Sequence, residues 1–467
     1  MKSGELLGAL AVGLILVGGQ GRAEEAPRAE IGRVGAIVGA VQYQPPTGSW
    51  SDALVNEPVA AGTGLRTADG ADAELRLPGA TLAAAPASEL RILHLDAEWA
   101  EIALPQGRID IHLAARGAAQ TVEVDLPRGG LWLQAPGDYE IAAGDAQTPP
   151  RIEVLGGKVA LGGGLTEGEI AAAAPDLFRD WSQAQDAGAE SDIPHLPAGT
   201  PGAAALDAAG RWENDATYGA VWYPSDVAAD WAPFRDGVWR FLPPWGWTWI
   251  DNAAWGFAPS HYGRWVRLDD RWGWAPDGES ADYSPAVVAF LGTAGIGLSR
   301  PGDAGPAVAW FPLAPRETIG DGNDAGYRNR RFASAVPRAV FVAGKPVAAA
   351  LVTDLPERRF ADAPVILQSL DIPPGATTAS AATPAVAAAA PVPAAGPSNG
   401  AARTPFVVVL REPPPRPAHI AARTPPHPAR LARRHLASLV VRHVPGSTAA
   451  LRSAHNRQHL AAIRGGA

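Results

Sequence analysis

The sequence predicts a mainly β chain: an N-terminal sandwich or barrel-like unit, a helical linker, a Trp-rich unit of antiparallel hairpins, and a disordered Pro/Ala/Arg-rich tail. Three observations point there. Apolar and polar residues alternate with a period of two through residues 30–165, as strands with one buried face require. Eleven of the sixteen tryptophans fall within residues 212–274, in a pattern that repeats. Residues 371–430 hold fourteen prolines among Ala and Thr, a composition that cannot build a core. A chain of 467 residues has room for this many units.

Residues 1–23 are expected to be a signal peptide. Lys2 precedes an apolar run, Leu6 to Gly18, and a small-residue exit ends at Ala23, after which cleavage is expected. The thirteen apolar residues fall short of the about 20 that span a bilayer. The alternative is an uncleaved anchor. No later segment is long and apolar enough to span, so a periplasmic or secreted chain without a transmembrane helix in its mature form is expected. The absence of cysteine excludes disulfides and thiol chemistry. Three lysines against thirty-six arginines look like coding bias, so a single arginine carries little weight.

In residues 30–165, Ile109, Ile111 and Leu113 alternate with Asp110 and His112, and Ala73, Leu75 and Leu77 alternate with Glu74 and Arg76. Turn pairs such as "LPGAT", "LPRGG" and "VLGGK" separate the runs, which suggests short strands in a sandwich or barrel. The succession "GRVGAIVGAVQYQ" from Gly32, "DALVNEPVAAGTGLRTADGADAELRLPGATL" from Asp52, "LPQGRIDIHL" and "IEVLGGKVAL" resembles a FecR-like domain over about 130 residues. That resemblance implies a β fold and an extracytoplasmic location. Regulators of this family place a cytoplasmic segment and a transmembrane helix before the domain. Here five residues precede the apolar run, so sigma-factor control is not the leading expectation.

Residues 166–211 read as a helical linker, with Ile170, Leu177 and Trp181 on one helix face and breakers in "GAESDIPHLPAGTPG". The Trp-rich unit is expected over residues 212–370. "GVWRFLPPWGW" from Gly237 and "GRWVRLDDRWGW" from Gly263 align as two hairpins, with turns at Pro243-Pro244 and Asp269-Asp270. Gly246 and Gly273 fall opposite the W-G-W indoles, where a ring or backbone could approach closely.

Tryptophan so concentrated suggests a core, a ligand platform or a membrane belt. Each buried aromatic removes about 150–250 Å² from water, which favours the core in a unit with few other large apolar residues. A belt is disfavoured by acidic flanks. The platform alternative would use Trp239, Trp247, Trp249, Trp255, His261, Trp265 and Trp274, with Asp251, Asn252, Arg264, Asp269 and Asp270 holding sugar hydroxyls. The order "GRWENDATYGAVWYP", "WGWTWIDNAAWGFAPSHYGRWV", "RWGWAPD" and "VAWFPLAPRE" resembles an exported Trp-rich family of unknown function (number 6600), and that resemblance brings no assigned activity.

The tail, residues 371–467, is expected to be disordered and basic. Residues 401–467 carry eleven arginines and one acid, so this stretch is +10 while residues 1–400 carry −19. A short helix is expected over residues 429–444, with Ala432, Leu436, Leu439 and Val440 on one face. Arg430, Arg433, Arg434 and Arg442 are the candidate anionic contacts. The bland alternatives are an inert tail or one folded back on the acidic body.

No G-x-S-x-G, H-E-x-x-H or P-loop motif occurs. His261 reads as a structural hydrogen-bonder, and the six tail histidines lack the spacing of a fixed metal site. The chain is therefore expected to be no enzyme and to need no catalytic residue, metal or cofactor. The expected function is that of a cell-envelope structural or interaction protein. Expected partners are envelope polysaccharide, anionic lipid or lipopolysaccharide, and not nucleic acid. A FecR-type signalling role and an unrecognised hydrolase are the alternatives.

Overall fold

The computed structural model describes residues 30–366 apart from 115–120, 146, 163–164, 166–169, 172–175, 187–192, 197–199, 277–281, 293–296, 299–304, 320–325, 353–359 and 362, together with residues 372, 406–410 and 437–443. The signal-peptide expectation, residues 1–23, lies outside the described residues.

The first unit is built from β1 (Gly32–Val38), β2 (Val41–Gln44), β3 (Ser51–Asp52), β4 (Pro58–Val59), β5 (Gly64–Thr67), β6 (Asp72–Leu77), β7 (Ala80–Ala84), β8 (Glu89–Leu95), β9 (Trp99–Gln106), β10 (Arg108–Leu113), β11 (Thr121–Leu126), β12 (Gly129–Leu133), β13 (Gly137–Ala142), β14 (Arg151–Val154), β15 (Val159–Gly162) and β16 (Ile170–Ala171). One sheet runs β16-β14-β13-β10-β7-β6-β1-β4, and the other runs β15-β12-β11-β9-β8-β5-β2-β3. The alternation legible in the sequence turns Leu75, Leu82, Ile109, Ile111 and Ile141 of the first sheet toward Ile92, Ile102, Val122, Val124 and Leu131 of the second, in one closed core.

Two helices follow, α1 (Leu177–Asp186) and α2 (Ala204–Ala209). The expected apolar face of the linker is corrected by one register. Ile170 lies in β16, Leu177 is exposed, and α1 turns Phe178 and Trp181 onto Ala83 and Ala85.

The Trp-rich unit comprises β17 (Gly210–Asp215), β18 (Gly219–Pro224), β19 (Gly237–Leu242), β20 (Gly246–Asp251), α3 (Phe257–His261), β21 (Arg264–Leu268), β22 (Arg271–Ala275), β23 (Val288–Leu291), β24 (Gly297–Leu298), β25 (Gly305–Pro312), β26 (Ser334–Pro337), α4 (Arg338–Val342) and β27 (Val365–Ile366). Both expected hairpins form, β19–β20 and β21–β22. Asp269 and Asp270 both take positive φ, 46° and 59°, as a two-residue type I′ turn requires. A third copy, β17–β18, joins them, and its sequence "GRW…VWY" carries the same signal more faintly. Each hairpin sets two tryptophans opposite each other: Trp212 and Trp222, Trp239 and Trp249, Trp265 and Trp274. Each also packs the second indole of the pair onto the glycine two residues before the first. A Cβ added at Gly210, Gly237 or Gly263 would lie within 2.4, 2.6 or 2.7 Å of an atom of Trp222, Trp249 or Trp274. The tryptophans are crowded here because one pairing device is used three times.

The β19–β20 hairpin has two working faces. Trp239, Trp247 and Trp249 enter the aromatic core with Trp222, Trp274 and Trp310. Val238, Leu242 and Ile250, on the other face, belong to the core of the sandwich. Polar contacts reinforce this junction. Arg240 pairs with Glu57, whose side chain is fully buried. Asn56, at φ 69°, donates from Nδ2 to the carbonyls of Asp251 (3.0 Å) and Ala253 (2.8 Å) and accepts from Arg33 Nη1 at 3.0 Å.

Of residues 371–467, the described ones are Ile372 and two strands, β28 (Phe406–Leu410) and β29 (Ala437–His443). β29 pairs with β15 and β28 pairs with β29, which extends the second sheet of the sandwich. This corrects the helix expected over residues 429–444. The β-branched Val440 and Val441 pair across from Val409 and Val408, a pattern that favours a strand. Residues 429–436 lie outside the described residues. Among the described residues no helix is long and apolar enough to cross a membrane.

Candidate functional site

The platform alternative for the tryptophans does not fit their positions. Trp239, Trp247, Trp249, Trp265 and Trp274 are at most 2% exposed, and only Trp255 of that set is half-buried. Their faces meet one another: Trp239 and Trp249 stand edge to face at 5.3 Å, and Trp247 lies 4.3 Å from Phe341. The indole N–H groups of Trp247, Trp265 and Trp274 donate to the carbonyls of Ile372, Pro259 and Tyr262, each at 2.8 Å. These are core side chains, and the energy of their burial leaves no face for a ligand to stack on.

Of the polar groups offered for sugar hydroxyls, Asp251 and Arg264 are engaged within the fold, while Asn252, Asp269 and Asp270 are exposed. Asp251 accepts from Trp249 Nε1 at 2.8 Å and from the Ala253 amide at 2.9 Å, and burial pushes its carboxyl up to about 6. Asn252 Nδ2 donates to Asp236 at 2.7 Å. Arg264 Nη1 donates to the Gly263 carbonyl at 2.7 Å, and Asp269-Asp270 is the β21–β22 turn. His261 is buried, its Nδ1 lies 2.8 Å from the Ser284 carbonyl, and burial holds the imidazole down to about 4. It stacks on Tyr283 at 5.0 Å, in keeping with a structural role. Arg430, Arg433 and Arg434 lie outside the described residues, and Arg442 falls within β29.

A different site emerges on the outer face of the first sheet, beneath α1. The sequence shows the alternation that turns Asp110 and His112 outward, but not their neighbours. The register places Glu153, Glu140 and Asp110 side by side on β14, β13 and β10, with Ala83 and Glu74 completing the row on β7 and β6. Like charges directly opposite repel. α1 answers with Arg179, which pairs with Glu140 and with Glu153 (2.6 Å) in a buried setting. Arg108 bonds Glu140 at 2.9 Å, pairs with Asp176 and lies over the Phe178 ring at 4.7 Å. A recess of about 220 Å³ opens beside these groups, lined by Arg108, Glu140, Ala142, Arg151, Glu153 and Asp176.

The other end of the layer is acid-rich. Asp110 is 3% exposed; burial first, and then the charges of Asp138, Asp186 and Glu140, push its carboxyl up to about 7 against the Ser182 hydroxyl that donates to it. Asp186, the last residue of α1, is pushed up to about 6, chiefly by burial. His112 Nδ1 lies 2.6 Å from Asp138 Oδ1 across the β10–β13 ladder. Carboxyl groups titrating near neutrality beside an imidazole can hold or exchange a proton, or bind a cation.

Residues 203–317 match a family described only as a family of unknown function, DUF6600. The match covers the three Trp hairpins and stops short of the sandwich. No curated protein and no solved structure matches the chain.

Proposed function

We propose that this chain is an exported cell-envelope protein that holds a partner rather than transforming one. The observation that supports this reading is the two-faced β19–β20 hairpin, which gives Trp239, Trp247 and Trp249 to the Trp core and Val238, Leu242 and Ile250 to the sandwich core. Three glycine–indole hairpins bury their aromatic surface in the core, which supports a scaffold role for the Trp-rich unit. The apolar run Leu6–Gly18 with its exit at Ala23 supports export, with cleavage after Ala23. The arginine-rich stretch 401–467 supports an anionic partner, either lipid or lipopolysaccharide, and envelope polysaccharide is the neutral alternative. Deleting residues 401–467 and measuring binding to anionic vesicles and to lipopolysaccharide, at low and moderate salt, tests this. Binding lost on deletion, and lost with salt in the full chain, is expected because exposed charges are screened within about 8 Å at physiological salt. Unchanged binding after deletion would reject the tail as the contact.

A FecR-type signalling role is the second reading. The two-sheet sandwich over residues 32–162 favours it, because that resemblance implies a β fold. A change in transcription when the chain is deleted from its host would support this second reading over the first.

A further inference from the structure

α1 is held to the first sheet by a thin apolar contact. Phe178 and Trp181 pack on Ala83 and Ala85, while Leu177 is exposed. A helix with so little apolar burial opens at a small cost, so the polar groups beneath it decide whether it stays. Asp110, 3% exposed, stands in the middle of the row Glu153, Glu140, Asp110, Ala83 and Glu74. Every element around it brings charge. β13 offers Asp138 and Glu140, β14 offers Arg151 and Glu153, and β6 offers Asp72, Glu74 and Arg76. β10 itself carries Arg108 and His112, and α1 carries Arg179, Ser182 and Asp186. The cations serve the other acids. Arg108 and Arg179 pair with Glu140, Arg151 and Arg179 with Glu153, Arg76 with Glu74, and His112 with Asp138, while His112 and Arg76 also act on Asp186. The charges that bear most on Asp110 are those of Asp138, Asp186 and Glu140, all of its own sign. The Ser182 hydroxyl donates to this carboxyl, and its Oδ1 has no hydrogen-bond partner among the described residues. A carboxylate so placed costs energy that a neutral carboxyl does not.

We propose that α1 is a proton-dependent strap: it lies on the first sheet while Asp110 carries a proton, and ionisation of Asp110 loosens it and uncovers the acid row. Once α1 lifts, water reaches Asp110 and its carboxyl returns from about 7 toward the ordinary 3.8. The docked form thus holds a proton that the open form gives up, so docking is strongest below pH 3.8 and weakens as pH rises to about 7. Asp186, raised to about 6 chiefly by burial, acts in the same sense up to that pH. Asp176, held down against its partial burial by Arg108 and by the Arg179 amide, acts the other way, and only below pH 3.8. The strap does not depend on which partner the body holds.

The test is hydrogen exchange of the α1 amides of Ser182 and Gln183 in the full chain, corrected for the intrinsic rate, in wild type and D110N. Between about pH 5 and 7 the wild-type opening equilibrium should rise by a factor at least about ten times larger than in D110N, whose side chain stays neutral. The Val124 amide of β11, beneath the other sheet, should not follow this difference. Equal pH responses in the two proteins, or no protection of α1 at any pH, overturns the proposal. The Asp110 carboxyl-carbon shift, followed by NMR in the wild type, decides the matter if D110N fails to fold. A midpoint near 7 supports the strap, and one near the ordinary 3.8 overturns it.

Discussion

Arg240→Met should destabilise the sandwich and the Trp-rich unit together. Arg240 sits on the sandwich-facing side of β19 and pairs with Glu57, which is fully buried and also accepts from the Leu54 amide at 2.8 Å. Burial raises the Glu57 carboxyl while the Arg240 charge lowers it, so losing the arginine leaves an acid that must either remain charged without its partner or take up a proton. Two unit charges about 4 Å apart attract by about 4 kcal/mol at an effective dielectric of about 20. Breaking a buried pair from one side costs about 3–5 kcal/mol. Arg240 keeps 21% of its side-chain exposure, which places the expected loss at the low end, about 3 kcal/mol. Glu57→Gln should cost about 2 kcal/mol, and the double variant should cost less than the sum of the singles by about 2 kcal/mol. Urea unfolding followed by tryptophan fluorescence and by far-UV circular dichroism measures this. Both probes should move to a lower midpoint by the same amount, with an unchanged slope. A shift seen by fluorescence alone, or additive single variants, would refute the claim that this pair couples the two units.

Trp249→Ala should cost about 3–5 kcal/mol and Trp255→Ala distinctly less, because Trp249 is fully buried and Trp255 is not; chemical denaturation compares them. Gly237→Ala should destabilise by about 3 kcal/mol, since its Cβ would sit 2.3 Å from the Ile250 carbonyl oxygen, a backbone atom that cannot swing aside; a melting temperature equal to wild type would contradict the glycine–indole device. His261 should make the fold acid-sensitive. Its folded pKa, about 4, lies below the ordinary 6.5, so the unfolded chain takes up a proton that the folded chain refuses, and stability falls as pH drops from 6.5 toward 4 by up to about 3 kcal/mol. Asp251, raised to about 6, works in the opposite sense over pH 6 to 3.8, so the comparison is with His261→Gln, relative to which the wild type should lose up to about 3 kcal/mol as pH falls from 6.5 to 4; identical pH profiles would count against it.

The fold was legible where one local period decides it. Alternation placed Ile109 and Ile111 in the core and Asp110 and His112 outside, and the register bears that out. The two longer Trp repeats announced their hairpins; the third was obscured because "GRWENDATYGAVWYP" lacks the W-G-W return. The segment 429–444 could be read with either period, and pairing to β15 and β28, a non-local fact, selected the strand. The layer beneath α1 was invisible for the same reason. His112, Asp138 and Asp186 are far apart in sequence and meet only through strand register and the path of the helix. The platform alternative failed because a sequence shows which indoles share a strand face, but not that a second layer covers that face.

Native-state hydrogen exchange tests most directly whether the hairpin makes one body of two cores. The amides of Trp249 and Ile250 in β20 should exchange with the same opening free energy as those of Ile111 in β10 and Val124 in β11, because none can open without breaking both cores. The Arg240→Met substitution should lower all four together. Protection in β20 that falls several kcal/mol below that of the sandwich strands, or that responds to Arg240→Met alone, would show two independent units and contradict the account.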